Sequence, residues 1–353
     1  MAIDKVTSAA IADDAVTDAK LSFNSNQFRN IIINGDMSVA QRGASATGKT
    51  SNGYYTVDRF QAVITSQGTW THTQSTDVPT GQGFAKSLKI DCTTADASPA
   101  ASDKLQLRQK IEGQNLQYLK KGTSSAESTT LSFWVRSNKT GTYICELFDT
   151  DNSRHINKSY TINSADTWEK KEITFAGDTS GTLTNDNGNS IECTWWLGAG
   201  SDFTSGTLQT SWGSSTNANR AVGQVNLADS TSNEWYITGV QLEAGEVASD
   251  FEFLPVDVNL RRCRRYYYKY DNYVISAQAR GSTNFVCGSN SISHGGIFRA
   301  NPTTTESNIT YNRAQNLGVS SKSTEFVSYR IRSNGTDGAE CSATFDLEFD
   351  AEL

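Results

Sequence analysis

Alternation of apolar and polar residues with a period of two is the feature that most constrains the fold of this chain. In LSFWVR, Leu131, Phe133 and Val135 alternate with Ser132, Trp134 and Arg136. The same period recurs in KLQLRQKIE, residues 104–112, and in IECTWWL, residues 191–197. Such alternation indicates strands with one buried face and one solvent-exposed face. Because turn-forming clusters such as NDNGNS separate these segments, the sequence predicts an all-β fold with many short strands in a sandwich.

The composition agrees with this fold and limits the classes of partner. The chain has 353 residues, enough for two domains with separate cores, and contains four prolines. Its formal net charge of −7 disfavours a polyanionic partner such as nucleic acid. It lacks an apolar stretch of about 18 residues and a basic start followed by an apolar run, so we expect no membrane insertion and no secretion by the usual signal. The six cysteines lie far apart in the sequence, and we expect buried free thiols.

Residues 1–29 contain a short repeat with a spacing of five residues. The repeat places apolar side chains at Val6, Ile11, Val16 and Leu21. Five is the period of neither a helix nor a strand, and so short a segment cannot bury these side chains alone. The repeat predicts either a disordered terminal arm or a shaft wound against identical copies, and we favour a short trimerising shaft segment.

The segment RRCRRYYYKY, residues 261–270, combines cations with aromatic rings in an otherwise acidic chain. After Pro255, helical spacing relates Val256, Leu260, Cys263 and Tyr267. Asp257 precedes Arg261 by four residues, so the cations have a carboxylate neighbour in the same segment. We therefore predict a structural linker helix over 255–270 rather than a nucleic-acid-binding surface.

This linker separates two predicted β domains, residues 30–254 and residues 271–353. The clearest strand of the second domain is the last one, where one side of the strand carries Ala343, Phe345, Leu347, Phe349 and Ala351. The other side is acidic, which indicates a half-buried strand. The sequence predicts a smaller C-terminal β-sandwich, whose stability would be marginal without a partner chain.

Seven segments form a recognisable set: NIIINGDMSVAQRG (30–43), VDRF (57–60), TLSFWVRS (130–137), ITGVQLEAGEVASDFEFLP (237–255), CRRYY (263–267), FRANPTTT (298–305) and DAEL (350–353). In this order they resemble segments of bacteriophage tail fibre or tail receptor-binding proteins. The resemblance covers residues 30–353, and its most specific part runs from VQLEAG to CRRYY. It implies a virion protein, assembled in the host cytoplasm as a homotrimer with other phage tail or virion proteins. It also implies binding of a host-surface glycan or outer-membrane receptor.

The NGD start and the ITGVQLE strand also resemble carbohydrate-binding jelly rolls, which implies a jelly-roll fold for residues 30–254. Such domains commonly hold a structural calcium ion near their first and last strands. Here Ser38, Thr238 and Gly239 occupy positions where the ligands would be, which leaves Asp36 and Glu243 as candidate calcium ligands. Two carboxylates are a thin shell for Ca²⁺, so we expect no cofactor.

Motifs of catalysis are missing from the sequence. The histidines, His72, His155 and His294, are scattered, and no GxSxG, HExxH or phosphate-binding glycine loop occurs. We therefore expect an adhesin that is not an enzyme. Two alternatives stay open: a polysaccharide-depolymerising tail spike, since 38 acidic residues can form a carboxylate pair by chance, and a purely architectural tail fibre or connector without receptor binding.

Sugar binding requires exposed aromatic faces with hydrogen-bonding groups beside them. In IECTWWLG, the period of two places Trp196 beside Glu192 and Thr194, so we expect it to be more exposed than Trp195. Trp212 lies in TSWGSSTN, a predicted loop, and two tyrosines follow SNG. The candidate carbohydrate-binding residues are thus Trp196, Trp212, Tyr54 and Tyr55, although each could equally fill the core at the rim of a sandwich. Weaker candidates in the C-terminal domain are Asn284, Asn290 and His294.

Overall fold

The computed structural model describes residues 28–278, 286–293, 298–334 and 340–353, with only the backbone for residues 287 and 288. This part of the chain forms two compact units. The first unit contains the segment ending at Ser38, together with Ser45–Tyr55 and Phe60–Phe253. The second unit contains Val39–Ala44, Thr56–Arg59 and Leu254–Leu353. The predicted shaft residues lie outside the described residues: Val6, Ile11, Val16 and Leu21.

The first unit consists of two antiparallel sheets, counted over the described residues. The six-stranded sheet contains, in spatial order, β1 (Ser45–Lys49), β4 (Thr69–Ser75), β5 (Ser87–Thr94), β13 (Glu234–Ala244), β7 (Thr129–Ser137) and β10 (Glu169–Phe175). The seven-stranded sheet contains β12 (Gly213–Ser214), β9 (Arg154–Ile162), β8 (Gly141–Asp149), β11 (Asn189–Ala199), β6 (Lys104–Glu112), β3 (Gln61–Thr65) and β2 (Gly53–Tyr54). A one-turn helix, α1 (Ser201–Thr204), follows β11.

The core of this unit lies between the two sheets, because the alternating apolar side chains point inward. Leu131, Phe133 and Val135 of β7 are buried, whereas Trp134 and Arg136 are partly exposed. Trp195 of the opposite sheet lies with its ring centroid 5.8 Å from that of Phe133. The predicted all-β jelly-roll sandwich is therefore confirmed.

Residues 30–37, the N-terminal strap, run along β13 without forming a regular strand. The Val240 amide donates to the carbonyl of Gly35 (2.9 Å), and the Ile31 amide donates to that of Leu242 (2.8 Å). The side chain of Gln109 accepts a hydrogen bond from the Ile33 amide (2.7 Å) and donates one to the Ile33 carbonyl (2.9 Å). Irregular backbone can be buried here because these contacts satisfy its polar groups.

The second unit contains two three-stranded antiparallel sheets within the described residues. One sheet consists of β14 (Tyr267–Gln278), β19 (Glu340–Asp350) and β16 (Thr303–Asn312), and the other of β15 (Val286–Ser293), β18 (Phe326–Ser333) and β17 (Ala314–Lys322). Phe345, Leu347 and Phe349 share a buried cluster with Val327, Tyr329 and Ile331 of β18. The predicted alternation of β19 and the smaller C-terminal sandwich are confirmed.

A helix, α2 (Val256–Arg264), precedes β14, but the predicted range of 255–270 is too long. Tyr267 belongs to β14, where it pairs with Asp350 of β19, so pairing with a distant strand ends the helical stripe. Cys263 is fully buried as predicted, whereas Val256 at the first turn is 73% exposed. No helix among the described residues is long and apolar enough to cross a membrane.

The cysteines follow the expectation of buried free thiols at four described positions, which are Cys92, Cys145, Cys193 and Cys263. Cys341 of β19 is disulfide-bonded, so the expectation is wrong there. The spacing of cysteines in the sequence could not show this, because antiparallel strands bring distant positions together.

Candidate functional site

Trp196 is fully buried, and its prediction as an exposed sugar platform is wrong. The alternation places it correctly on the outer face of β11, but the segment after that strand covers this face. The ring centroid of Phe203, in α1, lies 5.2 Å from that of Trp196, and Ala221 packs in the same cluster. The indole Nε1 donates to Glu146 Oε2 (3.2 Å), so both the ring and its N–H group are used within the fold.

Trp212 and Tyr55 are half-buried, and each makes contacts within the first unit. Trp212 Nε1 donates to the carbonyl of Ala176 (2.7 Å), and Lys121 Nζ lies 4.7 Å from the indole centroid. The Tyr55 ring lies 5.1 Å from that of His72, and its hydroxyl donates to the carbonyl of Ser51. Both side chains thus help to close the rim of the sandwich.

Tyr54 lies at the end of a row of polar side chains that crosses the seven-stranded sheet. It pairs with Gln61 of β3, which in turn pairs with Arg108 of β6. The row continues through Thr194 of β11 to Glu146 of β8. Because directly opposed residues point to the same side of a sheet, all five side chains lie on its outer face.

A second row on the same face runs from Lys110 through Glu192 and Phe148 to His155. We call six side chains across both rows the polar face. Its partly exposed members are Tyr54, Gln61, Arg108, Lys110 and Phe148, and its buried member is Glu192, which is 8% exposed.

Hydrogen bonds fix the side chains of the polar face in position. Arg108 donates from Nε to Gln61 Oε1 (2.8 Å) and from Nη1 to Glu192 Oε2 (2.7 Å). Asn189 donates to the other oxygen of Glu192 (3.0 Å). The charge of Arg108 is therefore compensated, and its guanidinium group is held in position by Gln61 and Glu192.

A buried ion pair lies beside the polar face, on the same side of the sheet. Arg220 donates from Nε and Nη2 to the two oxygens of Glu146 (2.7 and 2.8 Å), and the Glu146 side chain is fully buried. Burial disfavours the charge on Arg220, but Glu146 more than offsets this and raises the pKa of Arg220. Burial lowers the pKa of His155, which Glu146 opposes only in part, so this imidazole is neutral near pH 7. The Arg220 guanidinium carbon lies 4.8 Å from the Phe148 ring centroid and holds that ring in place.

The chemistry of the polar face is that of binding. It presents a guanidinium and an amide beside two half-exposed aromatic rings, Tyr54 and Phe148. Glu192 and the neighbouring buried Glu146 are each paired with an arginine. Oriented donors and acceptors beside apolar ring faces suit the hydroxyl and C–H groups of a sugar.

Most of this site was missed in the sequence. Alternation in KLQLRQKIE places Arg108 and Lys110 on one side of a strand, but it does not show which strands lie beside that one. Only Tyr54 of the four predicted residues belongs to the polar face.

The candidate calcium ligands have protein partners instead of a shared metal site. Asp36 Oδ1 accepts from the Ser38 hydroxyl (3.0 Å). Buried Glu243 accepts from the Ser249 amide and hydroxyl (2.9 and 2.7 Å) and from Gln241 (2.9 Å). No group of three or more His, Cys, Asp or Glu side chains within the described ranges could hold a metal ion.

In the second unit, Asn290 donates to the Tyr273 hydroxyl (2.8 Å) on the surface. Asn284 and His294 lie outside the described residues.

No protein-family model and no curated protein matches the chain. Similar solved structures include the enzymatically active domain of tailspike protein 4 from bacteriophage CBA120, with 12% identity and a TM-score of 0.32 over 62% of this chain and 22% of that chain. They also include a family 4 carbohydrate-binding module, with 12% identity and a TM-score of 0.30 over 60% of this chain and 97% of the module. A family 11 carbohydrate-binding module from Clostridium thermocellum, in complex with a β-1,3-1,4-mixed-linked tetrasaccharide, has 10% identity and a TM-score of 0.27 over 61% of this chain and 95% of the module. The chain spans about a fifth of the tailspike chain.

Proposed function

We propose that this protein is a phage tail adhesin that binds a host-surface glycan non-covalently through the polar face. The observation that carries the proposal is the fixed row formed by the partly exposed side chains of Tyr54, Gln61 and Arg108 on the outer face of the seven-stranded sheet. The tail role is supported by the sequence segments from NIIINGDMSVAQRG to DAEL, which resemble tail fibre proteins. The protein then acts on the virion, beside other tail proteins.

The geometry suits a ligand that offers both donors and acceptors. Gln61 uses its side-chain oxygen for Arg108, and Arg108 uses Nε and Nη1 for neighbours. The amide nitrogen of Gln61 and the second terminal nitrogen of Arg108 can therefore donate to sugar hydroxyls. Preorganised side chains lose little conformational entropy on binding, which favours recognition of a small, polar ligand.

A single shallow face of this kind gives weak binding. A virion compensates by presenting many copies. Once one copy has bound the cell surface, the linked copies meet further glycans at a high effective concentration. Weak sites without catalysis are sufficient for attachment, so the proposal needs neither a nucleophile nor a metal.

The test measures binding of the full-length chain to an array of bacterial surface oligosaccharides, in parallel with host cells. Tyr54→Ala and Gln61→Ala should each weaken binding roughly 3- to 10-fold, with the melting temperature nearly unchanged. Tyr118→Ala is the matched control, because Tyr118 is an exposed tyrosine (44%) that lies outside the polar face.

Three results would contradict the proposal. Release of new reducing ends from the bound polysaccharide would identify a depolymerase. Unchanged glycan binding in both polar-face variants would place the site elsewhere, and tight binding to virion proteins with none to cells or glycans would favour the architectural alternative.

A further inference from the structure

The outer face of the six-stranded sheet, opposite the sheet that carries the polar face, has a second group of aromatic and charged side chains. Lys89 of β5 pairs with Tyr236 of β13, and Tyr236 pairs with Arg136 of β7. Trp168 directly precedes β10, whose first residue pairs with Val135, so Trp168 continues this row beyond Arg136. We call Lys89, Trp134, Arg136, Trp168 and Tyr236 the tryptophan face.

Trp134 belongs to the same face, because it lies two residues from Arg136 on β7. It pairs with Thr238 on one side and with Lys170 on the other. Trp134 and Trp168 are therefore diagonal neighbours across two adjacent strands, a relation that separates positions by about 7–8 Å. Both tryptophans are partly exposed, whereas Tyr236, on β13 at the other side of β7, is 6% exposed.

Hydrogen bonds hold the tryptophan face rigid. Asp77 accepts from Trp168 Nε1 (2.9 Å) on one oxygen and from Arg136 Nη1 (2.6 Å) on the other. Arg136 also donates to the carbonyl of Asp166 (3.0 Å) and to its carboxylate (3.1 Å). The Arg136 guanidinium carbon lies 4.9 Å from the Tyr236 ring centroid, and the Trp168 ring centroid lies 6.1 Å from it.

The charges of this face disfavour a strongly anionic ligand. Lys89 Nζ lies 2.6 Å from Glu234 and 3.4 Å from Asp91, so this cation is compensated in the same way as Arg136. Paired charges give little long-range attraction for a polyanion, but they supply donors and acceptors at fixed positions. Two neighbouring indole faces with such groups beside them match the alternating C–H and hydroxyl surfaces of sugar rings.

We propose that the tryptophan face is a second glycan-binding surface that takes an uncharged oligosaccharide, with consecutive sugars stacked on Trp134 and Trp168. This deepens the proposed adhesin function, but it does not depend on the polar face, since the two surfaces belong to different sheets. A chain with two glycan-binding surfaces would raise the number of contacts that each copy makes with the host.

The experiment uses the full-length chain on an array that holds uncharged and acidic bacterial oligosaccharides, followed by calorimetry with the strongest uncharged oligosaccharide. Trp134→Ala should weaken binding of uncharged glycans roughly tenfold, and Trp134→Tyr should restore most of it. The double variant Tyr54→Ala with Trp134→Ala should bind less than either single variant. Tyr118→Ala again serves as the control, and melting temperatures identify any variant that fails to fold.

The outcomes separate the two surfaces. Loss of all uncharged-glycan binding in Tyr54→Ala, with no change in Trp134→Ala and Trp168→Phe, would overturn the second surface and leave the polar face supported. Retained binding in Tyr54→Ala that disappears in Trp134→Ala would support the tryptophan face even if the polar face fails. Two further results would overturn the proposed tryptophan face. One is binding of acidic glycans alone. The other is Trp134-dependent cell binding that survives periodate oxidation of the cell glycans, which would indicate a protein receptor.

Discussion

Asp58 is a single carboxyl group whose burial makes the stability of the second unit depend on pH. Its side chain is fully buried and accepts a hydrogen bond from the Gln41 amide (3.0 Å), with Arg42 at 4.0 Å. Desolvation raises the pKa of Asp58 to about 6, because Gln41 and Arg42 offset it only in part and Glu352 adds to it. The folded state therefore holds this proton more tightly than the unfolded state does. Stability from this group is fully present below about pH 4 and is lost as the pH rises through about 6.

Asp58→Asn should remove this dependence. Relative to the wild type, the free energy of unfolding of the variant should rise by on the order of 2–3 kcal/mol between pH 4 and pH 7. Urea denaturation at several pH values measures the difference, and Asp257→Asn, at an exposed position of the same unit, controls for loss of one negative charge. Parallel stability curves for wild type and Asp58→Asn would show that the carboxyl is not desolvated as described.

Trp196 should behave as a core residue rather than as a ligand platform. Trp196→Ala should lower the free energy of unfolding by about 3–5 kcal/mol, the usual range for deletion of a buried aromatic side chain. Trp196→Phe should cost less, although it leaves Glu146 without the indole N–H donor. Chemical denaturation checks both values. A stable Trp196→Ala protein with selectively weakened glycan binding would restore the original prediction.

The two aromatic predictions show what alternation can and cannot tell. The period of two assigned Trp196 to the correct side of β11, but the covering segment that contains Phe203 and Ala221 is irregular and has no period. Tyr54 meets Gln61 across a local strand pair, but Arg108 and Glu146 join them only through pairing of strands that lie tens of residues further along the chain. The sequence therefore predicted which side chains point to the same face of a strand, and the structure was needed to show which strands are neighbours.

At the scale of elements, the N-terminal strap explains why a glycine stands in the NGD segment. A Cβ atom at Gly35 would collide with the carbonyl oxygen of Val240 in β13, which is backbone and cannot rotate away. Gly35→Ala should therefore lower the free energy of unfolding of the first unit by about 2 kcal/mol or more. Gly318→Ala is the matched control, because open space surrounds that position. Equal melting temperatures for the two variants would mean that the strap can move away from β13.

The basic helix α2 should be structural, as the sequence predicts. Burial raises the pKa of the Cys263 thiol well above its ordinary value, so the group is neutral in the fold. Cys263→Asp should destabilise the second unit by several kcal/mol, because it places a carboxylate in a site closed to water. Arg261→Ala, at an exposed position of the same helix, should change stability by less than about 0.5 kcal/mol.

Binding to DNA provides the opposing test of α2. Arg264 stacks on the Tyr268 ring, with its guanidinium carbon 4.3 Å from the ring centroid, so at least one of the arginines contributes to folding. We expect no salt-sensitive DNA binding at physiological ionic strength. If the protein showed such binding and Arg261→Ala abolished it, the segment would be a nucleic-acid-binding site.

At the scale of the whole molecule, the sequence predicted two β-sandwiches, but it did not predict which segments of the chain belong to each unit. The residue pattern changes from strand-like alternation to helical spacing at Pro255, next to the start of the main segment of the second unit, Leu254–Leu353. That unit also contains Val39–Ala44 and Thr56–Arg59, which supply Arg42 and Arg59 as partners for Glu352. An ion pair across almost the whole chain has no local signature, because neither residue type nor spacing marks it.

Trimerisation is the prediction that connects both proposed glycan-binding surfaces with attachment. The repeat of Val6, Ile11, Val16 and Leu21 gives no continuous stripe on one helix or strand, so burial of these side chains requires neighbouring copies. Identical repeats meet most simply in a closed parallel ring, and three copies are common in the tail fibres that the sequence resembles. Light scattering at micromolar concentration should give about three times the chain mass of 38.5 kDa.

Truncation separates assembly from folding in this prediction. Removal of residues 1–27 keeps Arg29, whose backbone amide donates to Glu252 (3.2 Å), and should therefore leave the first unit folded. The truncated chain should bind soluble oligosaccharide as the full chain does, because each site lies within one copy. Its adhesion to cells should fall far more, since avidity depends on the number of linked sites. A full-length protein that is monomeric at this concentration would instead identify residues 1–29 as a terminal arm without a role in assembly.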